Sequence, residues 1–194
     1  MIGTSAQQNA QTSEGEAKSA AVAEAKRLAP HLAARIGSTP ATTFRGNPDV
    51  FGRLVQDHDQ HRALIAMIEE TTGDSEDRRM LFTELTHEMQ AHAAAEEQAL
   101  WSTVLRNPET TDDGRHAVAE HYQIDKLIEE LEEIDMASSA WLRRFAALKD
   151  KYLHHLREEE QEQFVAAEKH LDEADLRHMR SVFERRKAVE KAAQ

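Results

Sequence analysis

Four histidines and two glutamates in this chain are spaced in a way that could hold two metal ions. His58 and His92 lie 34 residues apart, and His121 and His155 repeat that interval 63 residues further along the chain. The second histidine of each pair begins a similar string, HAAAEEQ in the first half and HLREEEQ in the second. Imidazole nitrogens and spaced carboxylates in two similar halves are what a centre of two metal ions requires.

The spacing within each string indicates how the ligands would be presented. Residues i and i+4 of a helix lie on one face, so both side chains can reach one ion or two neighbouring ions. Three such pairs occur here: His92 with Glu96, His155 with Glu159, and His121 with Asp125. Nitrogen and carboxylate ligands without thiolates, in a number exceeding the needs of one tetrahedral site, favour iron or manganese over structural zinc. The two HxxxE glutamates, one in each half, are the predicted bridges between two metals.

The composition favours a single all-helical domain and excludes several functions. The 194 residues are 40% hydrophobic and 31% charged, with only 7 glycines and 4 prolines. A net charge of −12 argues against binding to nucleic acids. The absence of cysteine excludes disulfides, thiolate metal sites and iron–sulfur clusters. No stretch approaches the roughly 20 apolar residues that span a bilayer. The first 16 residues lack both a basic region and an apolar core, so a cytoplasmic location is predicted.

Turn-forming residues divide the chain into elements. Composition predicts a disordered tail over 1–20, a short accessory helix over 21–36 that is interrupted by Pro30, and a linker up to Pro48. Apolar periodicity then predicts five helices, over 49–70, 76–105, 115–136, 140–169 and 172–191. We therefore expect a flexible N-terminal extension (1–46), a four-helix bundle (47–170) and an extra C-terminal helix (171–194).

The predicted turns would bring the four histidines to one level. The midpoints between successive histidines fall at 75, at 106–107 and at 138, inside the turns predicted at 71–75, 107–114 and 137–139 or at their edge. In helices that alternate in direction, the height of a residue depends on its distance from the nearest turn, at about 1.5 Å per residue. The fold prediction is thus an all-α, antiparallel up-down-up-down four-helix bundle with the histidines in one layer.

These motifs resemble the hemerythrin-like family of HHE cation-binding domains, over about residues 50–170. The matching elements are Asp57-His58, HAAAEE at 92–97, Glu120-His121, and HLREEE at 155–160 followed by Phe164. The resemblance implies a non-haem di-iron centre in a left-twisted antiparallel four-helix bundle. The implied cofactor is two iron ions bridged by carboxylates and an oxo or hydroxo group, with manganese as the alternative metal. Carried over position by position, the ligands are His58, His92, Glu96, His121, His155 and Glu159.

The chain departs from the oxygen-carrying hemerythrins at two positions. Those proteins use five histidines and two carboxylates, with HxxxH on the third helix, where this chain has Asp125 as a further candidate ligand. Their last ligand pair is spaced HxxxxD, whereas this chain offers both Glu159 and Glu160; the internal repeat favours Glu159. A more oxygen-rich ligand set stabilises the ferric state and disfavours reversible carriage of O₂. The resemblance then implies peroxide decomposition, iron or redox sensing, or iron handling.

Three functions remain open at this stage. The first is a di-iron protein that binds or reacts with O₂ or peroxide, with a catalase-like oxidoreductase activity as its enzymatic form. The second is a sensor of iron, oxygen or redox state, which would signal to a partner protein through residues 1–45 or 172–194. The third is a protein that stores or donates iron. The C-terminal helix could also mediate a homodimer.

Several other polar residues have competing interpretations. His61 could be a further nitrogen ligand, a proton shuttle or a helix-surface residue, and the last is favoured. Arg62 could place a positive charge near a bound peroxide, or pair with Glu69 or Glu70. The remaining histidines are predicted not to be ligands of the centre: His31, His87, His116, His154, His170 and His178. The acids Glu97, Glu158, Glu160 and Glu162 are predicted to form a solvated face, with one or two accepting the second N–H of a ligating imidazole.

Overall fold

The computed structural model of the chain describes residues 16–17, 20–29 and 42–193, and within these ranges it contains helices and no strand. The predicted all-helical class is confirmed. None of the described helices is long and apolar enough to cross a membrane.

Five long helices make up the described structure. They are α1 (Val50–Glu69), α2 (Glu76–Glu96), α3 (Thr111–Glu132), α4 (Ser139–Glu158) and α5 (Glu173–Ala193). Both α2 and α4 continue through a π-helical turn, Glu97–Trp101 after α2 and Glu159–Gln163 after α4, into short helical ends, Ser102–Val104 and Phe164–Glu168. Side chains cap three of the long helices, because Asp49, Ser75 and Ser138 accept hydrogen bonds from backbone N–H groups in the first turns of α1, α2 and α4.

The start of α3 differs from the sequence prediction. Gly114 was expected to belong to the turn, and the helix was expected to begin after it. Instead α3 begins at Thr111 and Gly114 lies buried in its first turn. A Cβ atom at this position would lie 3.1 Å from the side chain of Leu105, so glycine allows the start of α3 to approach the preceding segment closely.

Two clusters of buried apolar side chains occupy opposite ends of the helices. The first cluster includes Ile65 on α1, Leu85 on α2, Ile128 on α3 and Leu148 on α4. The second contains side chains from the other ends of the same four helices or their extensions: Leu54, Trp101, Ala117 and Phe164. Each helix therefore crosses from one cluster to the other, and buried polar residues lie between them.

Two elements outside these four helices also pack on them. Residues 20–29 are helical, and Ala21, Ala25 and Ala29 belong to the first cluster. Helix α5 packs against α1 and α2, where Met179 and Phe183 join the second cluster. Most of the tail predicted over 1–20, and the predicted interruption at Pro30, lie outside the described residues.

Candidate metal centre

Each of the four crossing helices contributes one histidine to the layer between the apolar clusters. His58 lies on α1, His92 on α2, His121 on α3 and His155 on α4, and none of the four is more than 5% exposed. The Nε2 atoms of His58 and His92 face each other at 3.3 Å. The rings of His121 and His155 form a second pair, with centroids 4.9 Å apart. The structure thus brings the four predicted histidines together as two pairs.

The two glutamates of the HxxxE motifs lie between these pairs. Glu159 directs Oε2 toward His58 Nε2, at 3.4 Å, and Oε1 toward His155 Nε2, also at 3.4 Å. Glu96 Oε2 is 3.8 Å from His92 Nε2 and 3.5 Å from His121 Nε2. Each carboxylate therefore contacts one histidine of each pair, which is the arrangement that a bridging ligand requires.

The inward-facing atoms of this cluster are better placed to bind a metal ion than to form hydrogen bonds with one another. Both oxygens of Glu96, both oxygens of Glu159 and Nε2 of His121 are buried without a hydrogen-bond partner among the described residues. Buried polar atoms are rarely left in this state, because their desolvation costs free energy. Bonds of roughly 2.0–2.2 Å from one first-row metal ion would hold neighbouring donors about 3.3–3.5 Å apart. The donor set and its spacing therefore fit metal binding.

The electrostatics of the cluster favour the binding of a cation. Burial and the charge of Glu96 raise the pKa of Glu159 well above its usual value. Burial would lower the pKa of His121, but the carboxylates of Glu96 and Glu97 raise it to about 9. Glu159 and His121 therefore favour their protonated forms, whereas the neighbouring imidazoles, against burial, lower the pKa of Glu96 to about 2. A bound metal ion would replace those protons.

In each of the four histidines of the cluster, the other ring nitrogen donates a hydrogen bond to a carboxylate. Nδ1–H of His58 donates to Glu160 and that of His92 to Asp57, at 2.8 and 3.2 Å. In the second pair, the corresponding donor–acceptor distances are 2.9 Å from His121 to Glu97 and 3.0 Å from His155 to Glu120. Such bonds fix the tautomer and the ring orientation, so that Nε2 is left to bind a metal.

Burial keeps two of these rings neutral, which is the form that binds metal. It lowers the pKa of His92 to about 4 against the hydrogen bond to Asp57. It lowers the pKa of His155 to about 4 against the hydrogen bond to Glu120. Both rings therefore present an unprotonated Nε2 at neutral pH.

The family-model comparison agrees with this geometry. The model of the hemerythrin HHE cation-binding domain matches residues 49–167, which is more than half of the chain. The chain belongs to the hemerythrin HHE family. The resemblance inferred from the motifs is thus confirmed. No curated protein and no solved structure gives a significant match.

The outer carboxylates of this hemerythrin centre follow a sequence rule that the motif analysis largely missed. Asp57 and Glu120 directly precede the first histidine of each half, and each holds the second histidine of its own half. Glu97 and Glu160 directly follow the HxxxE glutamates, and each holds the first histidine of the other half. The signal available in the sequence was the duplicated acidic residue next to each ligand. Of these four carboxylates, only Glu97 and Glu160 are among the acids predicted for this role from sequence, and Glu160 is buried instead of solvated.

The duplicated π turns of the hemerythrin fold were not predicted. The first begins at Glu97, directly after Glu96, and the second begins at the HxxxE glutamate Glu159 itself; the i→i+5 bonds of each add one residue to the helical turn. As a result, Trp101 and Phe164, each five residues after its glutamate, are both fully buried in the second apolar cluster. The sequence signal was an apolar stripe that shifts by one residue after each HxxxEE string.

Asp125 lies beside the centre and is not one of the residues that the cluster brings together. Its side chain is partly exposed, and burial, opposed by the positive charge of His121, raises its pKa. Asp125 lines a cavity of about 10 Å³. The other lining residues are Met89, His92, Ala93, His121, Ile124, Tyr152 and His155. This volume corresponds to roughly one water molecule.

Two polar residues of α1 are buried, and for His61 this contradicts the surface position favoured from sequence. His61 is not a surface residue, because it is fully buried and its Nδ1 lies 2.6 Å from the hydroxyl of Tyr152. Arg62 is also fully buried and forms ion pairs with Asp59 and with Glu160, each at about 3 Å. Through Glu160, the guanidinium of Arg62 supports the carboxylate that orients His58.

Proposed function

We propose that this hemerythrin-family protein holds two iron ions and binds or reacts with dioxygen or peroxide. The observation that carries the proposal is the position of Glu96 and Glu159 between two histidine pairs, with all four carboxylate oxygens lacking hydrogen-bond partners among the described residues. In this assignment His58 and His92 bind one ion, His121 and His155 bind the other, and both glutamates bridge. Asp125 is retained as a further ligand in the proposal.

The proposed fold is an antiparallel up-down-up-down four-helix bundle. Its support is the order in which the helices cross the metal layer: α1 and α3 run from the second apolar cluster to the first, and α2 and α4 run in the opposite direction. In helices that alternate in direction, the ligating histidine of each helix would lie between the two apolar clusters. The proposal includes an N-terminal extension over 1–46 and a cytoplasmic location.

The chain would position the ions and limit what reaches them. Irons bound there would supply electrons by alternating between the Fe(II) and Fe(III) states. The four outer carboxylates hold the imidazole rings with Nε2 pointing inward, so the ligands need little reorganisation. The apolar clusters on both sides exclude bulk water, and the cavity of about 10 Å³ beside His121 and His155 leaves room for no more than a very small ligand, about the size of one water molecule.

One contact favours a sensor as the second candidate function. Lys187 of α5 donates to Asp57, the carboxylate that holds His92, at 2.5 Å. A change at the metal ions could therefore alter the docking of the C-terminal helix and its contact with a partner protein or a second copy. Peroxide turnover without a change in α5 would favour the enzyme. A metal-dependent change in hydrogen exchange of α5 without turnover would favour the sensor.

Iron content tests the proposed function directly. We expect close to two irons per chain after expression with iron, a near-UV and visible spectrum of bridged ferric ions, and oxygen release from hydrogen peroxide. Glu159→Gln should lose dinuclear binding and keep its helical circular dichroism, because it removes the charge of one bridge. Glu162→Gln is the matched control, since Glu162 is exposed on the same π turn. Less than one metal per wild-type chain, or two irons in Glu159→Gln, would contradict the assignment.

A further inference from the structure

A second cluster of histidines and glutamates lies at the surface where α3 faces α4. His116 and Glu120 on α3 and His154 and Glu158 on α4 each repeat the HxxxE spacing of the buried ligands. Glu158 joins the two helices: its Oε2 is 3.3 Å from His116 Nε2, and its Oε1 is 3.3 Å from His154 Nε2. His116 Nε2 is also 3.6 Å from Glu120 Oε2.

The distances among His116, Glu120 and Glu158 match the ligand spacing of one metal ion, and His154 lies against the other oxygen of Glu158. Bonds of roughly 2.0–2.1 Å at tetrahedral angles separate neighbouring donors by about 3.3–3.4 Å. The side chain of His116 is 54% exposed, so its imidazole can receive an ion directly from solvent. One imidazole and two carboxylates, with water completing the coordination, are suitable ligands for a divalent first-row ion such as Zn²⁺ or Fe²⁺.

The buried member of the cluster distinguishes it from an ordinary pair of solvated helix charges. A His–Glu pair one turn apart on an exposed helix face needs no ligand to explain it. Glu120, however, is 2% exposed, and the same Oε2 that faces His116 accepts the Nδ1–H of His155, at 3.0 Å. A carboxylate oxygen has two lone pairs, so it can accept that hydrogen bond and bind an ion. The cluster is therefore built onto a carboxylate that the buried centre already fixes.

We propose that His116 and Glu158, with Glu120 as a shared ligand, form a third site for a divalent first-row metal ion, and that His154 orients Glu158 through its other carboxylate oxygen. The site is separate from the six side chains of the buried centre and lies between α3 and α4. It binds one ion more weakly than the buried centre does, because its ligands are largely exposed and Glu120 is also paired with Lys151, at 2.6 Å.

Titration of metal-free full-length protein with Co²⁺, followed by calorimetry and visible absorption, tests the site. We expect the wild-type chain to bind one ion beyond those of the buried centre. Glu158→Gln should weaken this last ion by at least about tenfold, because it removes the carboxylate shared by both helices. The double variant His116→Ala/His154→Ala should lose the same ion and keep the buried ones.

His170→Ala is the matched control, because His170 lies 3.5 Å from a single surface glutamate, Glu109, and has no second histidine beside it in the described structure. We expect this variant to bind Co²⁺ as the wild-type chain does. The proposal is overturned if the wild-type chain binds nothing beyond the buried ions, if Glu158→Gln binds the last ion unchanged, or if His170→Ala loses it equally. Far-UV circular dichroism checks that each variant is folded. Loss of the buried ions in the wild-type chain would count against the di-iron proposal alone.

Discussion

Replacing Lys187 with methionine would remove the positive charge through which α5 forms ion pairs with buried carboxylates of α1 and α2. The residue is 5% exposed, and its Nζ lies 2.5 Å from Asp57 Oδ2 and 2.7 Å from Glu88 Oε2. Methionine has a similar length and no charge, so the change keeps the packing and leaves two buried carboxylates with fewer partners. Removing one member of a buried ion pair costs about 3–5 kcal/mol.

The expected loss lies at the lower end of that range. Asp57 keeps Arg53 as a partner at 2.5 Å, and Glu88 keeps its ion pair with Lys191. We therefore expect Lys187→Met to lower the free energy of unfolding by about 3 kcal/mol. In a chain of this size, that loss corresponds to a Tm lower by roughly 6–12 °C.

Urea and thermal unfolding of the metal-free protein, followed by far-UV circular dichroism, would measure this effect. Hydrogen exchange of α5 should increase in the same variant, because its docking on α1 and α2 is weakened. Lys191→Met is the matched control: its side chain is 40% exposed, so its loss should cost less than about 1 kcal/mol. Equal losses in the two variants, both below about 1 kcal/mol, would refute the reasoning.

Four further outcomes follow from the structure. Despite burial, Lys187 and Lys191 hold the pKa of Glu88 in the folded protein below its usual 4.5. The ionised Glu88 therefore stabilises the fold above pH 4.5, and this stabilisation is lost as the pH falls through the pKa of Glu88 in the folded protein. The free energy of unfolding in urea should therefore fall more steeply in acid for the wild-type chain than for Glu88→Gln. Parallel plots of this free energy against pH for the two proteins would contradict the reasoning. Asp125→His should add a nitrogen ligand and shift the visible absorption of the iron-loaded protein; an unchanged spectrum would remove Asp125 from the ligand set. Tyr152→Phe should cost about 1–3 kcal/mol in urea unfolding, because buried Nδ1 of His61 loses its partner; no loss would argue against that hydrogen bond. Mössbauer spectra of the proposed di-iron form should show two distinct iron environments, because different charged side chains surround the two histidine pairs. A single environment would contradict this difference.

The sequence predicted the helical class and the convergence of the four histidines with Glu96 and Glu159 because these depend on local periodicity. His92 and Glu96 share a helix face by their spacing alone, and the midpoint between His58 and His92 falls in the turn that separates α1 from α2. The family assignment followed from the same residues. The HxxxE spacing and the turn-forming residues each occur more than once along the chain, so they can be recognised in a single sequence.

The features that the sequence left out depend on contacts between distant helices. The burial of His61 is decided by Tyr152, 91 residues away, and that of Arg62 by Glu160. Lys187 lies 130 residues from Asp57 and outside the residues that the family model matches. The π turns have a different cause: a shift of one residue in the apolar stripe is too small to separate from ordinary irregularity within a single helix.

The duplicated ligands of the two halves are surrounded by unequal charges. On the His58–His92 side, Asp57 is paired with Arg53 and Lys187, and Glu160 is paired with Arg62. On the other side, Glu120 pairs with Lys151, while Glu97, whose side chain is 41% exposed, has His121 as its ion-pair partner. Buried cations near a metal favour its lower charge, and solvent near a carboxylate weakens such effects. In the proposed di-iron centre, an iron at His58 and His92 would therefore favour the ferrous state more than an iron at His121 and His155 would, although the two positions share the same ligand types. The repeat in the sequence duplicated the ligands, and the helices packed around each half make them different.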